Sequence, residues 1–206
     1  MPDAKLTALT ALATPAVDDY IYIVDTSDTT DDPAGSSRKT LLSNLLKELG
    51  LSQSLADFIS DVGNSGTDET DLYSFTIPAN MLTQNGDRIS AYYSLSITGS
   101  ATATSQIKVY FSGTARFDSG ALSLSSSGNW QCWVEMVRTG ASTGRISVVL
   151  QTPGASLAAY TAEVDMTSQD FTATNVIKIT GTRAGVGAAS NDILAKHGYV
   201  EKSNAA

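Results

Sequence analysis

His197 is the sole histidine of the chain, so a Ser-His-Asp or Cys-His nucleophilic site, or a multi-histidine metal site, would depend on that one imidazole. It falls in Asp192-Ile-Leu-Ala-Lys-His-Gly-Tyr-Val-Glu201, an alternating segment that makes it a strand side chain before it is a base. Cys132 is the sole cysteine, which rules out an intrachain disulfide. Its setting, Trp130-Gln-Cys-Trp-Val134, has no base near it in sequence, so it reads as a small core residue. Asp25, Asp28, Asp31 and Asp32 could offer oxygens to a hard cation, but no Gly at the sixth position and no Glu at the twelfth completes a calcium loop. They read as a polar turn.

Gly35-Ser-Ser-Arg-Lys-Thr40 has the outline of a phosphate loop, yet Arg38 stands where the second glycine must be, and its side chain would keep backbone amides off a phosphate. A strand or turn returning toward a helix fits better. Gly181-Thr-Arg-Ala-Gly-Val-Gly187 misses the dinucleotide fingerprint and joins two strands, so it reads as a loop. Paired carboxylates for glycoside cleavage would have to come from Asp87, Asp118, Glu135, Glu163, Asp165, Asp170, Asp192 and Glu201, several of which fall in turns or on wet strand faces. No residue is assigned as catalytic, cofactor-binding or metal-ligating, and no cofactor or enzymatic activity is expected.

The elements that would position these groups are mostly strands. Arg88-Ile-Ser-Ala-Tyr-Tyr-Ser-Leu-Ser-Ile-Thr98 sets Ile89, Ala91, Tyr93, Leu95 and Ile97 on one side and Ser90, Ser94, Ser96 and Thr98 on the other, the period of a strand with one dry face. Trp130, Cys132, Val134 and Met136 share a face in the same way, as do Ile146, Val148 and Leu150, while Tyr160–Met166 turns Glu163 and Asp165 outward. Leu72-Tyr-Ser-Phe-Thr-Ile77 points Tyr73, Phe75 and Ile77 inward, and Pro78 marks it as an edge. Eight or nine short strands separated by turns such as Gln84-Asn-Gly-Asp87 predict an antiparallel β-sandwich, with a jelly roll of two Greek keys fitting the count.

Before Leu72 the pattern changes. Tyr20-Ile-Tyr-Ile-Val24 is a short apolar strand; Leu41, Leu42, Leu45, Leu46 and Leu49 recur at helical spacing between Thr40 and Gly50; and Leu55, Phe58, Ile59 and Val62 suggest a second short helix ending at Gly63. Asn64–Asp71 is a polar linker. The predicted fold is therefore mainly β: a small, partly helical N-terminal anchor segment over 1–71, then a jelly-roll-like antiparallel β-sandwich over 72–206. The apolar stripes of so small a segment are either a local core or a surface for another subunit.

Charge is segregated along the 206 residues. Residues 1–72 carry four bases against thirteen acids, a net of −9, and the remainder is nearly neutral at +1. An acidic first third and the lack of a basic stripe exclude nucleic acid as an expected partner. No apolar stretch approaches bilayer length and no signal-peptide pattern opens the chain, so membrane insertion is not expected and synthesis and folding in the cytoplasm of the host are.

Thr76-Ile-Pro-Ala-Asn-Met-Leu-Thr-Gln-Asn-Gly-Asp87, Ile107-Lys-Val-Tyr-Phe-Ser-Gly113, Phe117-Asp-Ser-Gly-Ala-Leu122, Trp130, Val137-Arg-Thr-Gly-Ala141 and Ala189-Ser-Asn-Asp-Ile193 together resemble the small β-sandwich domain of tailed-bacteriophage virion proteins, in fibres and capsid decorations. Lys5-Leu-Thr-Ala-Leu9, Tyr22-Ile-Val-Asp25 and Ser37-Arg-Lys-Thr-Leu-Leu42 are similar to the segment that attaches phage fibres and head proteins to the particle. The resemblance covers most of the chain and carries over no functional residues. It implies a virion structural protein, a capsid decoration or short head or tail fibre, assembled as a homotrimer that contacts other capsid or tail proteins through Leu6, Leu9, Leu41, Leu42, Leu45, Leu46, Leu49 and Phe58. The alternative is a receptor-binding module for host-surface glycan, with Tyr92, Tyr93, Trp130 or Trp133 as stacking platforms if they are not core.

Overall fold

A computed structural model describes residues 19–25, 30, 36–42, 45, 51–152 and 160–204. The chain divides into two compact units, residues 1–51 and 52–206.

In the first unit, β1 (Tyr20–Asp25) pairs antiparallel with β2 (Ser36–Leu41), with Tyr20 opposite Leu41 and Asp25 opposite Ser36. The Leu42 N–H donates to the Asp19 carbonyl at 2.9 Å and closes the open end. The Lys39 ammonium lies 4.4 Å from the centre of the Tyr20 ring. Ser36–Leu41 is thus the returning strand expected in place of a phosphate loop. Leu42 and Leu45 carry helical backbone, and the rest of the expected first helix lies outside the described residues.

The second unit is two antiparallel sheets. A seven-stranded sheet runs in the order β12 (Tyr160–Met166), β11 (Gly144–Gln151), β10 (Gly128–Arg138), β6 (Arg88–Ile97), β14 (Ile193–Ser203), β3 (Gln53–Phe58), and β4 (Val62–Gly63) also pairs with β14. A five-stranded sheet runs β5 (Thr70–Ile77), β13 (Asn175–Gly185), β7 (Ala103–Phe111), β8 (Thr114–Asp118), with β9 (Leu122–Ser123) beside β7. The chain crosses between the sheets after β4, β5, β6, β9, β12 and β13. Inward side chains of both sheets make one core, in which Tyr93, Leu95, Cys132 and Met136 of the larger sheet join Ile107, Val109, Phe111 and Ile179 of the smaller. The alternations read from sequence on β6, β10 and β11 are those observed.

Two expectations are corrected. The second helix does not exist: Gln53–Phe58 is a strand along β14, with Phe58 opposite Gly198 and Ala56 opposite Val200. Gly198 supplies no side chain there, and the Phe58 ring stacks on Tyr73 at 4.5 Å with 9° between planes. Helical spacing of Leu55, Phe58 and Val62 is a weak signal over so short a run, and pairing along the edge of β14 satisfies the backbone while seating Phe58 on Tyr73, a packing gain that a short isolated helix lacks. The sandwich accordingly starts at Ser52, not at residue 72. The second correction concerns Gly181–Gly185, which continue β13 and do not form a loop. A Cβ on Gly181 would approach Leu72 and Ile193 to 3.2 Å, so that glycine answers a packing need. Just beyond it, Arg183 is 1% exposed and donates to Asp192 Oδ2 at 3.2 Å and Ser105 Oγ at 2.5 Å, tying the β13–β14 connection to β7.

Candidate functional site

The strand period that buries Ile89, Ala91, Tyr93, Leu95 and Ile97 pushes Ser90, Tyr92 and Ser94 to the outer face of the seven-stranded sheet. On β10 the same rule buries Trp130, Cys132, Val134 and Met136 and turns Gln131, Trp133 and Glu135 outward. On β14 the alternation is reset by a bulge between Ala195 and His197, which leaves His197, Tyr199 and Glu201 on the outer face. Gly198 lets the strands close up, because a Cβ there would come within 2.5 Å of the Tyr92 carbonyl oxygen.

Antiparallel register then assembles two rows across the face. Tyr199, Tyr92, Trp133, Val149 and Thr161 are successive cross-strand partners, and beside them run Glu201, Ser90, Glu135, Ser147 and Glu163. Tyr92 is the hub of the first row, its ring centre 4.4 Å from Trp133, 5.6 Å from Tyr199 and 5.7 Å from His197. These neighbours cover Tyr92 to 9% exposure, while Trp133 remains 43% exposed. Between the rows lies a groove of ≈ 370 Å³, bounded by Trp133, Tyr199, Val149, Glu135 and Glu201 over the short side chains of Ser90 and Ser147.

The groove has an apolar wall and an acidic one. Glu135 meets Arg88 at 3.4 Å, with both side chains close to half exposed. Glu201 has no ion-pair partner among the described residues. Burial, then the charge of Glu201 and the nearby Tyr92, raises the Tyr199 phenol above its ordinary value, so it stands as a neutral hydroxyl. A ring face beside hydroxyls and carboxylates can stack on the apolar side of a ring ligand and accept hydrogen bonds from its polar edge.

The residues singled out from sequence are mostly separated. Trp130 and Tyr93 lie in the core, as does Cys132, whose thiol burial pushes up to about 12, far from a reactive value. Tyr92 and Trp133 come together on the outside. Phe58 is packed on Tyr73 inside the sandwich, Leu41 ends β2, and Leu42 and Leu45 are half-buried in the first unit; Leu6, Leu9, Leu46 and Leu49 lie outside the described residues, as do Asp28, Asp31 and Asp32. Of the acids, Asp118 accepts from Gln106 at 2.7 Å and Asp170 caps its own turn at Thr172, while Glu163 and Asp165 share Arg145. Among the described residues no cluster of three or more His, Cys, Asp or Glu could hold a metal, and no helix is long and apolar enough to cross a membrane. Sequence reasoning missed Tyr199, Ser90 and Glu201 as a set, because the signal lay in register across three strands.

No protein-family profile and no curated protein matches the chain. Among solved structures it is similar to the CBM2 module of the evolved Dit of Lactobacillus casei BL23 phage J-1, at 10% identity and a TM-score of 0.37 over 65% of this chain and 69% of that one. It is also similar to the VP2 subviral particle of infectious bursal disease virus (12% identity, TM-score 0.31, 74% of this chain and 31% of that one) and to lectin UEA-II complexed with galactose (9%, 0.31, 75% and 92%).

Proposed function

We propose that the chain is a virion structural protein whose sandwich is a non-catalytic recognition module, binding host-surface saccharide in the groove on the outer face of the seven-stranded sheet. The jelly-roll reading of the sandwich is supported by the chain's crossings between its sheets, with β14 beside β6 and β13 beside β5. The observation that carries the proposal is Trp133: a large ring left 43% exposed on an otherwise regular strand, held by Tyr92 and opening on a groove lined by hydroxyls and carboxylates. A well-placed aromatic of this kind does little for the core and a great deal for a flat ring ligand. The test is a glycan array probed with the full chain and with Trp133→Ala. Binding to a defined saccharide class that the substitution reduces at least about tenfold supports the reading; no glycan bound, or binding indifferent to Trp133, sinks it.

A second, compatible role is assembly on the particle as a homotrimer, favoured by the first unit. A two-stranded hairpin is marginal alone, and β1 and β2 with Leu41, Leu42 and Leu45 make a structure that gains from a partner surface. Sedimentation equilibrium of the full chain gives a trimer if so. A monomer at micromolar concentration, together with particles unaffected by omission of the protein, contradicts this role.

A further inference from the structure

We infer that the pit over Ser90 seats a cationic group, so that the saccharide taken by the groove is an amino sugar with a free ammonium; the inference rests on the saccharide reading above. Ser90 is the short residue at the centre of a ring of long ones. Its cross-strand partners are Glu201 on β14 and Glu135 on β10, and the next outward residue along β6 is Tyr92, with Tyr199 and Trp133 on either side of it. Neighbouring strands are spaced so that side chains two strands apart stand roughly 10 Å from each other. Glu201 and Glu135 therefore face across the pit with room for one small group between them.

Charge complementarity selects that group. The charged side chains lining the groove are Glu135 and Glu201. Arg88 meets Glu135 at 3.4 Å in an exposed pair that water and salt weaken, and Glu201 has no ion-pair partner among the described residues. Tyr92, Tyr199 and Trp133 stand on one side of the pit, and Arg88, the outward neighbour of Ser90 in the other direction along β6, stands on the opposite side beside Glu135, so that two carboxylates and one guanidinium leave the pit a net charge of −1. A uronic acid or a phosphate-bearing glycan would place like charge against both carboxylates. A neutral sugar would leave Glu201 without a charge partner, whereas a protonated amine supplies one.

The experiment titrates the full chain calorimetrically with glucosamine oligomers, N-acetylglucosamine oligomers of equal length and uronic acid oligomers, at low and high salt. The glucosamine oligomer is expected to bind about tenfold more tightly than its acetylated counterpart at low salt, with the gap shrinking in high salt. Glu201→Gln is expected to weaken the glucosamine oligomer more than the acetylated one, cutting the preference about three- to fivefold. Ser90→Leu, which fills the pit, is expected to abolish the preference while the melting temperature stays within a few degrees. Equal affinity for both oligomers, with both lost in Trp133→Ala, overturns the amino-sugar assignment and leaves the saccharide reading standing. Preference for the uronic acid oligomer overturns it too. Should no oligomer bind and Trp133→Ala be silent in the glycan array, both readings fall together.

Discussion

The two outer faces of the sandwich differ in how they treat their charges. On the five-stranded sheet, Glu69 accepts from the Lys108 ammonium at 2.8 Å and the Thr180 hydroxyl at 2.8 Å, Lys178 pairs with Asp71 at 2.7 Å and sits over the Tyr110 ring, and Gln106 holds Asp118. On that face these carboxylates are each met by a side chain of the same sheet. On the seven-stranded sheet the central strands instead carry an exposed Trp133, a buried hub at Tyr92 and a carboxylate, Glu201, without an ion-pair partner among the described residues. A surface whose interactions are satisfied internally contributes to stability; a surface whose interactions are left open is available to a ligand. The contrast is the reason the proposed recognition is assigned to the larger sheet and not to the smaller.

The comparison can be broken by substitution, and the largest effect expected is on neither outer face. Trp130 and Trp133 stand on the same strand, and Trp130, at 4% exposed, packs in the core with its ring 6.3 Å from Tyr160. Trp130→Ala is expected to lower unfolding free energy by about 3–5 kcal/mol in a urea titration. Trp133→Ala, three residues away and outward, is expected to change stability by less than about 1 kcal/mol. Comparable losses at the two positions would mean that Trp133 is packing and not platform.

Next in size is the smaller sheet's network. Burial would raise the Glu69 carboxyl, but hydrogen bonds from Lys108, Tyr110 and Thr180 outweigh it and bring the group down to about 2 from 4.5. A folded value below the unfolded one means that the unfolded chain binds the extra proton. The associated stability is fully present above about pH 4.5 and is lost as pH falls toward 2. Because Glu69 is 32% exposed, solvent screening reduces the nominal gain to about 1–2 kcal/mol. Glu69→Gln should therefore destabilise the protein by about that amount at neutral pH and flatten the acid limb of its stability curve, with saccharide affinity unaltered. An unchanged acid limb would show that this face is not closed by Glu69.

The smallest effect is expected at the rim of the larger sheet. Arg145 bridges Glu163 at 3.1 Å and Asp165 at 2.8 Å, all three side chains being at least half exposed. Arg145→Ala should cost under about 0.5 kcal/mol in thermal unfolding. A loss several times larger would place on this face a stabilising network like that of the other sheet and blur the distinction between them.

How much of this was readable beforehand depended on the distance between the residues involved. Ile89 to Ile97 and Trp130 to Met136 announced their strands because a side-chain period of two is a local property of the pleat. The same local rule put Cys132 on the dry face with Trp130, Val134 and Met136, and an equally local one, the need for a glycine where Arg38 stands, excluded the phosphate loop. Leu55, Phe58 and Val62 misled, since a run of that length satisfies a helix or a strand about equally and the free edge of β14 made the choice. Gly181 looked like a loop for the same reason: its role is set by Leu72 and Ile193, residues far away in sequence.

The chain's own order of residues thus determined that the protein is built of strands, which side chains of each strand are dry, and that one tryptophan of the pair 130 and 133 must face away from the core. It also separated an acidic beginning from a nearly neutral remainder. Only the tertiary structure decided that Glu201, Ser90 and Glu135 share one row, that Tyr199, Tyr92 and Trp133 share the next, and that a bulge at Ala195–His197 is needed to align them. The physical reason is that alternation is enforced by bonds along a single strand, whereas register is settled by hydrogen bonds between strands that stand more than a hundred residues apart in the chain, as Tyr92 and Tyr199 do, where many local patterns remain compatible until one packing wins.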